Sequence, residues 1–95
     1  MYGTIARFRV KPGMEERMRQ DMKSYEGLNI AGYVNSFVYR MDADANEFYM
    51  AVVFDSKESY EKNANDPAQD ARYKEFLAYM DGEPEWHDGE IVYSM

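Results

Sequence analysis

Glu47-Phe48-Tyr49-Met50-Ala51-Val52-Val53-Phe54-Asp55 decides how this chain folds. Side chains alternate from face to face along a strand. Phe48, Met50, Val52 and Phe54 therefore share one side, and Tyr49, Ala51 and Val53 the other. Both sides are apolar, so the strand needs cover above and below and belongs in the middle of a sheet. Upstream, Gly32 opens a second strand, Tyr33 to Met41, with Tyr33, Asn35, Phe37, Tyr39 and Met41 expected on one face. The polar run Asp42-Ala43-Asp44-Ala45-Asn46 joins the two as a hairpin.

Working outward, Tyr2 to Val10 reads as a strand, ended by Lys11-Pro12-Gly13. Met14, Met18, Met22 and Tyr25 then repeat at helical spacing, with Glu15, Glu16, Arg19 and Lys23 on the wet side. That Met stripe is expected in the core. After the hairpin, Asp55 is expected as the N-cap of a short helix, with Glu58 completing a capping box. Asn63-Ala64-Asn65 weakens the helix, and Asp66-Pro67 starts a second segment carrying Tyr73, Phe76, Leu77 and Met80. Glu85 to Tyr93 is the last strand, with Gly89 expected at a turn or bulge.

The order is strand, helix, strand, strand, broken helix, strand. This is the α+β, ferredoxin-like βαββαβ arrangement, a single domain over 1–95 with a four-stranded antiparallel sheet whose first and third strands are central. Two helical elements cover one side of such a sheet. The other side also shows large apolar residues, so a second copy is expected to close over it. Composition agrees: 45% of residues are apolar and 16% aromatic, more than a small core uses.

The net charge of −7 repels phosphate backbones and anionic lipid, so neither a nucleic-acid nor a membrane partner is expected. The absence of cysteine excludes disulfides and thiolate chemistry and is compatible with a cytoplasmic location. No basic segment and apolar core precede the first strand, so no signal peptide is expected. One histidine cannot build a histidine metal triad, and no metal site is expected. There is no Gly-rich phosphate loop and no serine elbow.

Val10-Lys11-Pro12-Gly13, Gly32-Tyr33, the Glu47–Asp55 strand, Ser56-Lys57-Glu58-Ser59-Tyr60, Asp66-Pro67 and Pro84-Glu85-Trp86-His87 occur in this order. With these stretches the chain resembles the antibiotic biosynthesis monooxygenase-like proteins of the dimeric α/β-barrel superfamily. The resemblance implies a homodimer whose sheets face each other as a barrel, with a pocket in each subunit between sheet and helices. It also implies oxygenation of a small aromatic or quinol compound with no cofactor, neither metal nor flavin. Haem-degrading relatives carry an Asn on the first strand and a Trp and a His on the later helix. Here the first strand has no Asn, and Trp86 and His87 sit at the last strand. The cofactor-free oxygenases use an Asn, a Trp and a Tyr from the second helical region. Asn63 and Tyr73 match two of these, and Pro67 stands near the place of the Trp.

Residue chemistry supplies the other candidates. His87 is the only side chain expected to titrate near neutrality unperturbed, and so the candidate base for a phenol or quinol proton. Its other reading is a strand-end histidine bonded to backbone. Trp86 stacks on a ring or packs in the core. Tyr33 and Asn35, with Tyr39, orient a substrate oxygen or bond across a dimer interface. Asn63 holds a substrate oxygen or its own backbone at the helix break. Arg7 holds an oxyanion or pairs with one of the many acids. The expected catalytic set is thus His87, Asn63 and Tyr73, and the binding set Arg7, Tyr33, Asn35 and Trp86. Two rival functions remain open: a non-catalytic dimeric module for ligand binding or assembly, and an isomerase or cyclase on the same scaffold.

Overall fold

The strand whose two faces are apolar lies inside the sheet, as its sequence requires. The computed structural model describes residues 1–95. Its elements are β1 (Tyr2–Arg9), α1 (Glu15–Lys23), β2 (Tyr33–Met41), β3 (Asp44–Phe54), α2 (Lys57–Ala64), α3 (Pro67–Leu77) and β4 (Glu85–Glu90). A 3-10 turn over Ser24–Gly27 follows α1. The strands form one antiparallel sheet in the order β2-β3-β1-β4, with β1 and β3 central. This is the ferredoxin-like α+β fold, with the second helical region broken in two. No helix is long and apolar enough to cross a membrane.

Register shows which face each side chain takes. Tyr2, Thr4, Ala6 and Phe8 stand opposite Phe54, Val52, Met50 and Phe48. These residues face the helices. Phe8 stacks on Phe48 at 5.7 Å and meets Phe76 of α3 edge-on at 5.3 Å. Val10, Met18, Tyr79 and Met80 complete the buried cluster, with Met14 and Met22 packed against it. The Met stripe of α1 is core. Ile5, Arg7 and Arg9 of β1 face the other way, onto a side of the sheet no helix covers.

The structure corrects five local expectations. Asp44–Asn46 belongs to β3, not to the turn, because Asp44 is held by Arg9 at 2.6 Å and its Oδ1 accepts from the Asn46 amide. A bulge between Tyr33 and Asn35 turns Tyr33 onto the helix side, away from Asn35, Phe37 and Tyr39. The N-cap of α2 is Ser56, not Asp55: the Ser59 amide donates to Ser56 Oγ at 3.1 Å. Gly89 makes no bulge; it stands in register opposite Gly3. β4 ends at Glu90 rather than Tyr93. Asp66 does cap α3, with Pro67 at the first helical position.

Candidate functional site

The break between α2 and α3 makes a concavity on the helix side of the sheet. α2 ends at Ala64, the Asp66 amide donates to the Asn63 carbonyl, and Asp66 starts α3 in a new direction. The loop Leu28–Ala31 comes in beside this break. Between them lies a cleft of about 310 Å³, walled by Leu28, Asn29 and Ile30 on one side and by Ser59, Lys62, Asn63, Asp66 and Arg72 on the other. Its volume is at the lower end of the ~300–1,000 Å³ typical of small-molecule sites.

Gly32 brings the loop this close. Its φ is +81°, and a Cβ there would lie 2.4 Å from Ser59 Cβ. The Asp55 amide donates to its carbonyl at 2.8 Å and fixes the loop to the start of α2. Arg72 donates through Nε and Nη2 to Gln69 Oε1, at 3.1 and 2.9 Å, and its guanidinium lies 5.9 Å over the Tyr25 ring. Burial, and then the charge of Asp21, raise the Tyr25 phenol above its ordinary value; Arg72 opposes them.

Further aromatic groups line the helix side of the sheet. Trp86 and Tyr73 meet edge to face at 5.9 Å. Tyr2, Tyr60, Phe54 and Tyr33 form a chain of ring contacts between 5.3 and 5.9 Å. The Tyr60 hydroxyl donates to Asp88 Oδ1 at 2.8 Å, and burial, then that bond, push its phenol up to about 12. The Tyr33 and Ser36 hydroxyls share a hydrogen bond at 2.8 Å. Thr4 Oγ1 is the one buried side-chain oxygen with no hydrogen-bond partner.

The uncovered side holds the other candidates. His87 stands opposite Ile5, on the face reversed from its neighbour Trp86. It borders a shallow, mainly apolar hollow of about 230 Å³ with Ile5, Ala51 and Val53. Arg7 pairs with Glu47 at 2.8 Å and reaches Glu85 at 3.8 Å, and Asn35 stands opposite Val53. The sheet therefore divides the expected set. Asn63, Tyr73, Tyr33 and Trp86 lie on the helix side; His87, Arg7 and Asn35 lie on the other. Of the seven, Asn63 alone lines the cleft. No three His, Cys, Asp or Glu side chains come together as a metal ion requires.

Sequence reasoning missed Lys62 and Arg72. A signal existed: Ser59, Lys62, Asn63 and Asp66 recur at three- and four-residue steps, one polar helix face running into the break. Nothing in the local sequence shows that Arg72 turns toward the same cleft.

The sequence profile of the antibiotic biosynthesis monooxygenase family matches residues 1–75. Among curated proteins no sequence relative matches at a significant level. Several solved structures share the fold. A Nitrosomonas europaea protein, provisionally named an antibiotic biosynthesis monooxygenase, superposes with a TM-score of 0.80 at 12% identity, covering 97% of this chain and 90% of its own. A conserved Methanosarcina mazei protein gives 0.79 at 18% identity, covering 93% and 89%. A variant of SnoaB, a cofactor-independent oxygenase from Streptomyces nogalater, gives 0.79 at 12% identity, covering 99% and 95%.

Proposed function

The chain belongs to the antibiotic biosynthesis monooxygenase family, and from that premise we propose a cytoplasmic homodimer that oxygenates a small aromatic or quinol substrate without a cofactor. The substrate is held on the helix side of each sheet, in the cleft at the α2–α3 break. The observation that carries this reading is Asn63, which lines that cleft. An amide there donates to a substrate oxygen as negative charge grows on it.

The chemistry asks little of the protein. A phenolate or enolate gives an electron to dioxygen, the two radicals combine, and the peroxide loses water. For an anthrone-like ring, CH₂ and O₂ become C=O and H₂O, with no external reductant. The protein must bind the anion, orient it and keep water from the radical pair. Tyr73 and Trp86 supply aromatic surface on the same side of the sheet. His87 is across the sheet from the cleft, so the reading favours substrates acidic enough to ionise without it.

That same placement favours one second reading: a dimeric module that binds a small molecule and leaves it unchanged. Oxygen uptake with a panel of quinols and anthrones, in the presence of chelator, decides between them. Uptake that falls about a hundredfold in Asn63→Ala supports the oxygenase. Binding without consumption supports the module. Turnover without oxygen overturns the oxygenase reading and points to an isomerase or cyclase.

A further inference from the structure

Resting on the reading of the cleft as the substrate site, we infer that Lys62 and Arg72 form a carboxylate-binding subsite, so that the molecule taken there is an aromatic acid rather than a neutral phenol or quinol. The argument starts from charge. The chain carries −7 and repels anions at long range, so holding one needs local cations that nothing neutralises. Arg7, Arg9, Arg19, Arg40, Lys57 and Lys74 are all ion-paired. Lys11, Arg17, Lys23, Lys62 and Arg72 are not, and of these Lys62 and Arg72 alone line the cleft at the α2–α3 break.

Arg72 is also held in place without being neutralised. Its Nε and Nη2 donate to the neutral amide oxygen of Gln69, and its plane lies over the neutral ring of Tyr25. Nη1 has no protein partner. An arginine fixed by an amide and a ring keeps its whole charge and its planar donor geometry, which suits a carboxylate. Asp66 is the single carboxylate in the cleft wall, and its Oδ1 already accepts from the Ala68 amide. Ser59 and Asn63 add neutral donors beside the two cations.

The test is equilibrium binding of two redox-stable probes to the full chain by titration calorimetry: 1-hydroxy-2-naphthoate and 1-naphthol, which differ by the carboxylate alone. The acid is expected to bind at least about tenfold more tightly. Arg72→Gln and Lys62→Gln should each erase most of that preference and leave 1-naphthol within about twofold. Raising salt from about 50 to about 500 mM should weaken the acid selectively. Equal affinities, no binding of the acid, or a preference that survives in both variants overturns the subsite. The outcome is independent of turnover: oxygen uptake can fail while the acid preference stands, and the preference can vanish while uptake continues.

Discussion

Tyr79 donates its hydroxyl hydrogen to Asp21 Oδ2 at 2.6 Å, which ties the segment after α3 to the last turn of α1. The ring is 1% exposed and meets Phe76 edge-on at 5.4 Å. Tyr79→Phe keeps the packing and removes the bond to a charged acceptor, at a cost of about 1–2 kcal/mol, because half-buried Asp21 can rehydrate. Tyr79→Ala also empties the core and costs about 3–5 kcal/mol. Urea midpoints at unchanged slope measure both. A Tyr79→Phe variant as stable as wild type would show that water replaces the bond in full.

Tyr60 and Tyr79 contribute to the alkaline limit of the fold. Burial, then the bond to Asp88, hold the Tyr60 phenol up to about 12, and burial, then Asp21, raise that of Tyr79. In the unfolded chain both titrate near pH ~10. The folded state keeps these protons where the unfolded chain has lost them. Their contribution is thus complete below about pH 10 and disappears as pH rises through the folded values. Urea midpoints taken between about pH 8 and about pH 11 should fall, and the fall should be shallower in Tyr60→Phe and in Tyr79→Phe. Parallel curves in all three proteins refute the assignment.

The acid limit has the opposite sign. The Arg40 guanidinium bonded to Glu15 holds that carboxyl below its usual range, and Arg9, then the Asn46 amide, do the same for Asp44. Their contribution is present above the unfolded carboxylate range, near pH ~4, and is lost as pH falls through the folded values. Arg40→Gln should move acid unfolding to higher pH. Because both pairs meet solvent, about 1 M salt should remove most of that difference. Equal acid midpoints at low salt count against the Arg40–Glu15 pair.

Much of this architecture was legible in the sequence, and the exceptions have physical reasons. The central place of β3 follows from two apolar faces, and the core role of the Met stripe from its spacing. The opposite facing of Trp86 and His87 is also legible, since neighbours on a strand point apart and so fall on two sides of the sheet. The bulge before Asn35 carries no glycine to mark it, so strict alternation puts Tyr33 on the wrong face. Asp55 and Ser56 are both good caps, and only the path set by Gly32 selects Ser56. Arg72 joins the cleft through a loop far away in sequence, which no local pattern encodes.

Gly32 gives a graded test of that path. An alanine there carries the left-handed backbone penalty of about 1–2 kcal/mol and meets Ser59, so the total should exceed about 2 kcal/mol. Gly13 has the same φ of +81° but open space around it, so Gly13→Ala should cost about 1 kcal/mol. Chemical denaturation of the two variants should keep this order. The reverse order would mean that Ser59 moves aside and that the cleft wall is soft.

The proposed dimer rests on one row of residues. Phe37, Ala51, Ile5 and His87 stand side by side across β2, β3, β1 and β4 on the uncovered face. Ile5 and Phe37 are 57% and 55% exposed, and Tyr39 beside them is 55% exposed. Large apolar groups aligned in this way lose contact with water when a second sheet closes over them. A charge placed in the middle of the row is then buried without a partner, which costs several kcal/mol and lowers association well over tenfold. Ile5→Glu and Phe37→Glu should each shift sedimentation from a dimer to the 11.2 kDa chain. Each protomer should stay folded, because its core lies on the other side of the sheet and loses no contact. The cleft at Asn63 also lies on that other side, so a monomeric variant should still bind its small ligand. If wild type already sediments as a single chain at micromolar concentration, the closed barrel is wrong, and the exposed row needs another partner.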